Sequence, residues 1–223
     1  MRTTRTRTAY AAAALTAAAA LTLTACGSDS GSGDGAAKSA FEVSGGSSKP
    51  GVVLDVPKKK PELVLTDTEG EKFDLVAETA GRPTLLFFGY TNCPDVCPTT
   101  MSDLAIAKQK LPEAEQEKLR VVMVSSDPKR DTPSRMRKWL DAMDKDFIGL
   151  TGDYETIAKA ARSVGVHLEK PVKEKDGSIT VSHGASVLAF SPKDDKAHVV
   201  YLAGVTPQQY TKDMPKLVKG QIP

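Results

Sequence analysis

The sequence predicts an α/β fold in which helices flank a mixed β-sheet. Three observations predict it. Residues 84–90 (TLLFFGY) and 120–125 (RVVMVS) are continuous apolar runs, the pattern of strands buried on both faces. Each run is followed by a segment with helix-start signals, as parallel strands joined by helical crossovers require. The C-terminal third then holds short strand-like segments separated by turn residues and a closing helix, the pattern of an antiparallel addition to the sheet.

Each element has a local reason. Residues 62–66 and 72–76 flank Asp67-Thr68-Glu69-Gly70 and are expected to form an N-terminal hairpin. After the strand 84–90, Pro98 stands in the first turn of a helix to about residue 111. After the strand 120–125, Thr132-Pro133 has the residue types of an N-cap and first helical position, opening a helix to about residue 143. Residues 147–150 suit a short strand, and Asp153 caps a helix to about residue 163. Residues 166–172 and 178–182 predict an inserted hairpin turning through Asp176-Gly177. Residues 185–190 and 198–202 predict a further hairpin. Thr206-Pro207 opens the last helix, which Pro215 is expected to kink or shorten. There is no internal repeat.

The chain has 223 residues and, with glycine counted, is about 48% apolar, which excludes a wholly disordered, collagen-like or disulfide-dense chain. Its formal charge of +2 comes from Arg2, Arg5 and Arg7. Beyond residue 26 there are 27 basic and 28 acidic residues, a net charge of −1. A near-neutral body offers no electrostatic reason to expect a nucleic-acid partner.

The three arginines and the Ala/Leu run 9–25 have the pattern of a secretory signal, and the run is marginal for a membrane span. It ends in Leu23-Thr24-Ala25-Cys26, which resembles the bacterial lipobox. That resemblance implies cleavage before Cys26 and a diacylglyceryl group on its sulfur, with ordinary secretion and an unmodified Cys26 as the alternative. Residues 26–50 are Gly/Ser-rich and predict a flexible tether with a reach of roughly 25–30 Å. The expected organisation is a signal peptide (1–25), a lipidated cysteine and tether (26–50) and one folded domain (51–223). The domain is expected on the extracytoplasmic face of a bacterial membrane. Lys58, Lys59 and Lys60 lie between Pro57 and Pro61 and read as a solvated loop.

Ligands of α/β sheets sit beyond the carboxyl ends of the central strands. Two loops qualify, 90–98 and 125–133. The first holds Cys93 and Cys97, the only two cysteines of the folded part. Cys97 directly precedes Pro98, so the helix N-terminus is expected to lower its thiol pKa. A C-x3-C spacing alone leaves three readings open: a static disulfide, a redox pair or a metal pair. Two sulfurs leave a metal site incomplete, and a histidine is the natural third ligand. Two thiolates and an imidazole suit Cu(I) and can also hold Cu(II), whereas structural zinc normally takes four ligands. Three histidines are candidates. His183 stands at the entry to the strand 185–190, where a bare histidine is more often a hydrogen-bonded surface or core group than a ligand. His167 and His198 are disfavoured further by their expected edge or hairpin strands. In the second loop a capped helix start accounts for Asp131, Thr132 and Pro133, but not for Asp127 and Arg130. These two, with Asp95, are candidates for hydrogen-bonding around the cysteines.

GYTNCPDVCP, SSDPKRDTP and VSHG together resemble the Sco/SenC family of copper-binding, thioredoxin-like proteins, over about residues 61–219. The resemblance implies a thioredoxin-like sheet and copper held by Cys93, Cys97 and His183. It also implies a role in assembling the binuclear copper centre of cytochrome c oxidase subunit II. Many members carry Asp before that histidine. Here Ser182 stands there and supplies only a neutral hydrogen bond, which bears on Cu(II) affinity. The competing function is a thiol–disulfide oxidoreductase acting through Cys93 and Cys97 on a partner's copper-site cysteines. A copper donor or a thiol reductant is then a further partner. A thiol peroxidase is disfavoured, because neither Pro94 nor Tyr90 is the Thr or Ser its motif needs three residues before the cysteine.

Overall fold

The computed structural model describes residues 51–173, 179–180 and 184–223. The expected leader and tether, the turn Asp176-Gly177, and Ser182 and His183 lie outside the described residues. Among the described residues, six strands form the main sheet. At its centre β4 (Thr84–Gly89) and β5 (Arg120–Ser125) are parallel, and their register pairs Gly89 with Ser125. β6 (Ile148–Leu150) continues the parallel run on one side. On the other side β9 (Val187–Phe190) is antiparallel to β4, β10 (Lys196–Tyr201) to β9, and β1 (Gly51–Lys59) to β10.

The remaining elements are placed by short-range chemistry. β2 (Val64–Thr66) and β3 (Lys72–Asp74) make the expected N-terminal hairpin, and Asp74 caps the one-turn α1 (Leu75–Glu78). α2 (Val96–Lys108) follows β4, and the short α3 (Glu113–Gln116) precedes β5. α4 (Pro133–Asp141) opens as expected, with the Thr132 hydroxyl accepting from the Arg135 amide. α5 (Tyr154–Ser163) is capped by Asp153 in the same way. β7 (Val172–Lys173) and β8 (Ile179–Thr180) are antiparallel partners, as the expected inserted hairpin requires. α6 (Pro207–Leu217) opens on a capping box between Thr206 and Gln209.

β4 and β5 are buried on both faces because their alternate side chains enter two cores. Leu85, Phe87, Val121 and Met123 pack with α2, α4 and α6 through residues such as Met101, Met136 and Met214. Leu86, Phe88, Val122 and Val124 pack with Ile157 of α5 and with Leu63, Leu65 and Leu75. Each such side chain contributes about 1.5–3 kcal/mol by leaving water. Among the described residues no helix is long and apolar enough to cross a membrane.

Three expectations need correction. Lys58–Lys60 is no solvated loop: Lys58 and Lys59 pair with Ala197 and Lys196 in β1. Lys60 is 6% exposed, and its ammonium donates to the Thr79 carbonyl at 2.9 Å and Asp195 Oδ1 at 2.7 Å. The β1 register shifts between Val53 and Lys58, an irregularity at the sheet edge that accommodates Pro57. Pro215, expected to kink or shorten the last helix, stands inside it, and the helix continues to Leu217. The segment expected as a strand from residue 166 becomes one only at Val172.

Candidate metal centre

Because β4 and β5 are adjacent and parallel, their following loops leave the sheet at one edge. The first carries Cys93, half-buried, and Cys97, buried in the first turn of α2. The Cys93 amide donates to the Tyr90 carbonyl at 3.2 Å, which closes the loop. The Cys97 amide donates to Cys93 Sγ at 3.3 Å, so the helix start presents a donor to the other cysteine's sulfur. Cys97 packs against the backbone of β4: a Cβ on Gly89 would stand 3.0 Å from Cys97 Sγ and 2.4 Å from the Phe87 ring. Burial pushes the Cys97 thiol up, and its hydrogen bond to Cys93 adds to this. The expected lowering by the helix start is therefore corrected. The sulfur sits against apolar side chains, and desolvation of the thiolate outweighs the dipole.

The second loop braces the first. Asp131 is fully buried and is more than part of a helix start. Its carboxylate accepts from the Thr91 amide at 3.1 Å, the Thr91 hydroxyl at 2.6 Å and the Ser125 hydroxyl at 2.7 Å. From α4, Arg135 donates to Thr91 Oγ1 at 3.0 Å and Asn92 Oδ1 at 2.6 Å. The Ser126 amide donates to the Gly89 carbonyl at 2.7 Å. These bonds span the two loops and hold the residues immediately before Cys93.

Asp127 and Arg130 make an ion pair with each other, Asp127 being buried. Burial raises the Asp127 carboxyl above its ordinary range, and Arg130 opposes that. Arg130 reaches the cysteine loop through an aromatic ring, its guanidinium carbon lying 6.0 Å from the Tyr90 centroid. The Tyr90 phenol is hydrogen-bonded with Cys93, and burial together with the two cysteines raises its pKa. Asp95 is exposed at the α2 N-cap and its side chain makes no capping bond. His198 Nε2 lies 2.9 Å from Asp194, and His167 is exposed near Glu169.

Among the described residues no three His, Cys, Asp or Glu side chains converge on a metal position. Two sulfurs converge. Val187 of β9 pairs with Phe87, so the described residues 184–186 enter the sheet at the edge where the cysteine loop leaves it. Sequence reasoning missed Gly89, Tyr90, Thr91 and Arg135 as site residues. Their adjacency to the cysteines and to the helix cap was the available signal, and their partners are distant in sequence.

The SCO1/SenC family model matches residues 55–219. A Stutzerimonas stutzeri protein named for copper binding is 36% identical over 143 residues, 63% of this chain and 69% of that protein. The mitochondrial SCO1 homolog 1 of Arabidopsis thaliana is 36% identical over 113 residues, 51% of this chain and 34% of that protein. The chain thus spans about a third of that longer relative. The copper-bound structure of Bradyrhizobium japonicum ScoI is similar at a TM-score of 0.59 and 31% identity, over 73% of this chain and 98% of that one. The apo structure of Thermus thermophilus Sco1 gives 0.62 and 30%, over 78% and 94%. Those structures share the thioredoxin-like arrangement of a six-stranded mixed sheet flanked by helices.

Proposed function

The chain belongs to the SCO1/SenC family, and on that premise we propose that it is a copper metallochaperone. The observation that carries this reading is the pair Cys93 and Cys97, held at the sheet edge with the Cys97 amide on Cys93 Sγ. Two sulfurs suit a soft ion such as Cu(I). Cys93 and Cys97 would hold it as thiolates, with His183 as third ligand from the loop that enters β9. Ser182 would supply the imidazole only a neutral hydrogen bond, which bears on Cu(II) affinity.

Three ligands leave the copper open to a fourth. A thiolate or thioether of the acceptor enters before a donor ligand leaves, so delivery is ligand exchange. The acceptor is the binuclear copper centre of cytochrome c oxidase subunit II. Lipidation of Cys26 places the domain on the extracytoplasmic face of the membrane, where 26–50 serve as a tether. The test is an anaerobic Cu(I) titration of the reduced full chain carrying Cys26→Ser, against a chromophoric competitor. One tight equivalent is expected, lost in Cys93→Ser and Cys97→Ser and weakened in His183→Ala. Affinity unchanged by these substitutions overturns the reading.

One observation favours a second activity. The pair combines a half-buried thiol with a buried one, the division of labour of an attacking and a resolving cysteine. Reduction of a partner's disulfide by Cys93 would leave a Cys93–Cys97 disulfide. A reductant would then have to restore the dithiol before copper is loaded again.

A further inference from the structure

Tyr90 touches both cysteines and a cation. Its phenol is hydrogen-bonded with Cys93 and its main chain with Cys97. The Arg130 guanidinium lies over its ring, and the tyrosine is 6% exposed. We propose that Tyr90, held beneath Arg130, is a positioning residue that biases the copper pair toward Cu(I). The proposal rests on the copper reading above.

Charge sets the direction of the bias. Cu(I) with two thiolates carries a formal charge of −1, and Cu(II) with the same ligands carries none. Donors and cations beside the sulfurs therefore stabilise the Cu(I) form more. Burial of Tyr90, Cys97 and Asp127 limits screening by water, so the effect persists. Two carboxylates oppose it. Asp127 offsets much of the Arg130 charge. Asp131, although it accepts from three neutral donors, still pushes the Cys97 thiol up, so the phenol's hydrogen bond to Cys93 is what favours Cu(I). The Cys97 amide acts with Tyr90 on Cys93, and no substitution short of proline removes it. Tyr90 is the adjustable part.

The experiment measures Cu(I) and Cu(II) affinities of the full chain carrying Cys26→Ser, with the energy of the Cu(II)–thiolate absorption band. Tyr90→Phe is expected to lower the ratio of Cu(I) to Cu(II) affinity about tenfold, a fall of about 59 mV in potential. The band is expected to move to lower energy, because a sulfur that loses a donor is easier to oxidise. Arg130→Met, made with Asp127→Asn, removes two charges that cancel and so tests only the hold of the guanidinium on the Tyr90 ring. It is expected to shift the ratio in the same direction by less than Tyr90→Phe does. It is expected to do much less when Tyr90→Phe is already present. Arg130→Lys, which keeps the charge, is expected to retain most of the wild-type ratio. An unchanged ratio and band in a Tyr90→Phe protein that melts like wild type overturns the proposal. A wild-type chain that binds no copper overturns the copper reading itself.

Discussion

At the scale of single residues, Asp131 shows how a buried carboxylate can organise a site without touching its ligand. It accepts from three groups on two loops, and its removal strands buried donors. Asp131→Ala is expected to cost about 3 kcal/mol in urea unfolding and to weaken copper binding as well. Wild-type stability would show that water replaces the carboxylate at no cost. Gly89→Ala is expected to displace Cys97, since its Cβ would meet both Sγ and the Phe87 ring. Lys108 illustrates the electrostatic side. It is buried at the end of α2 and donates to Asp144 at 3.0 Å and to Asp146 at 2.8 Å. That hydrogen bond and charge hold Asp146 below the usual carboxylate range. The folded value thus lies below the unfolded one, so the stabilisation is complete above about pH 4 and is lost as pH falls through the folded value. Lys108→Met is expected to flatten the acid limb of a melting-temperature profile; an unaltered limb would assign acid lability elsewhere.

At the scale of elements, the sequence was most legible where one element satisfied its own backbone. The caps at Thr132, Asp153 and Thr206 stand where their residue types predict, because capping is decided within four residues. Thr206→Ala is expected to cost about 1 kcal/mol by thermal unfolding. β1 was illegible for the opposite reason. A strand with a proline and a lysine run has no pattern of its own, and only β10 gives it a partner. Lys60 then ties the end of β1 to the Thr79 carbonyl and to Asp195. Lys60→Met is expected to destabilise the protein by about 2 kcal/mol, because the carbonyl it leaves is buried. An effect within error would make the lysine a passenger on the edge strand.

At the scale of the whole molecule, the two cores meet through β4 and β5, so the strands that deliver the site loops are also the best buried part of the fold. Copper that binds only the folded chain must then stabilise it. At a free copper level about a hundred times the dissociation constant the gain is about 2.7 kcal/mol, a rise in melting temperature of roughly 5–10 °C. The rise is expected to vanish in Cys93→Ser. A rise that survives this substitution would place the stabilising copper at another position.

The sequence by itself determined the class of fold, the order of nearly all the elements and the loop that carries the cysteines. These follow from local rules: apolar runs too long to expose, caps that complete a backbone, turns that need particular residues. The family motif likewise lay in consecutive residues. It took the tertiary structure to decide that Asp131 braces the cysteine loop, that Arg130 lies over the Tyr90 ring, and that Lys60 is buried. It also reversed the expected direction for the Cys97 thiol, since the dipole of a helix can be read from its start but the water excluded around it cannot. Burial and charge pairing depend on residues tens of positions apart, and those are brought together only when the sheet closes over both cores.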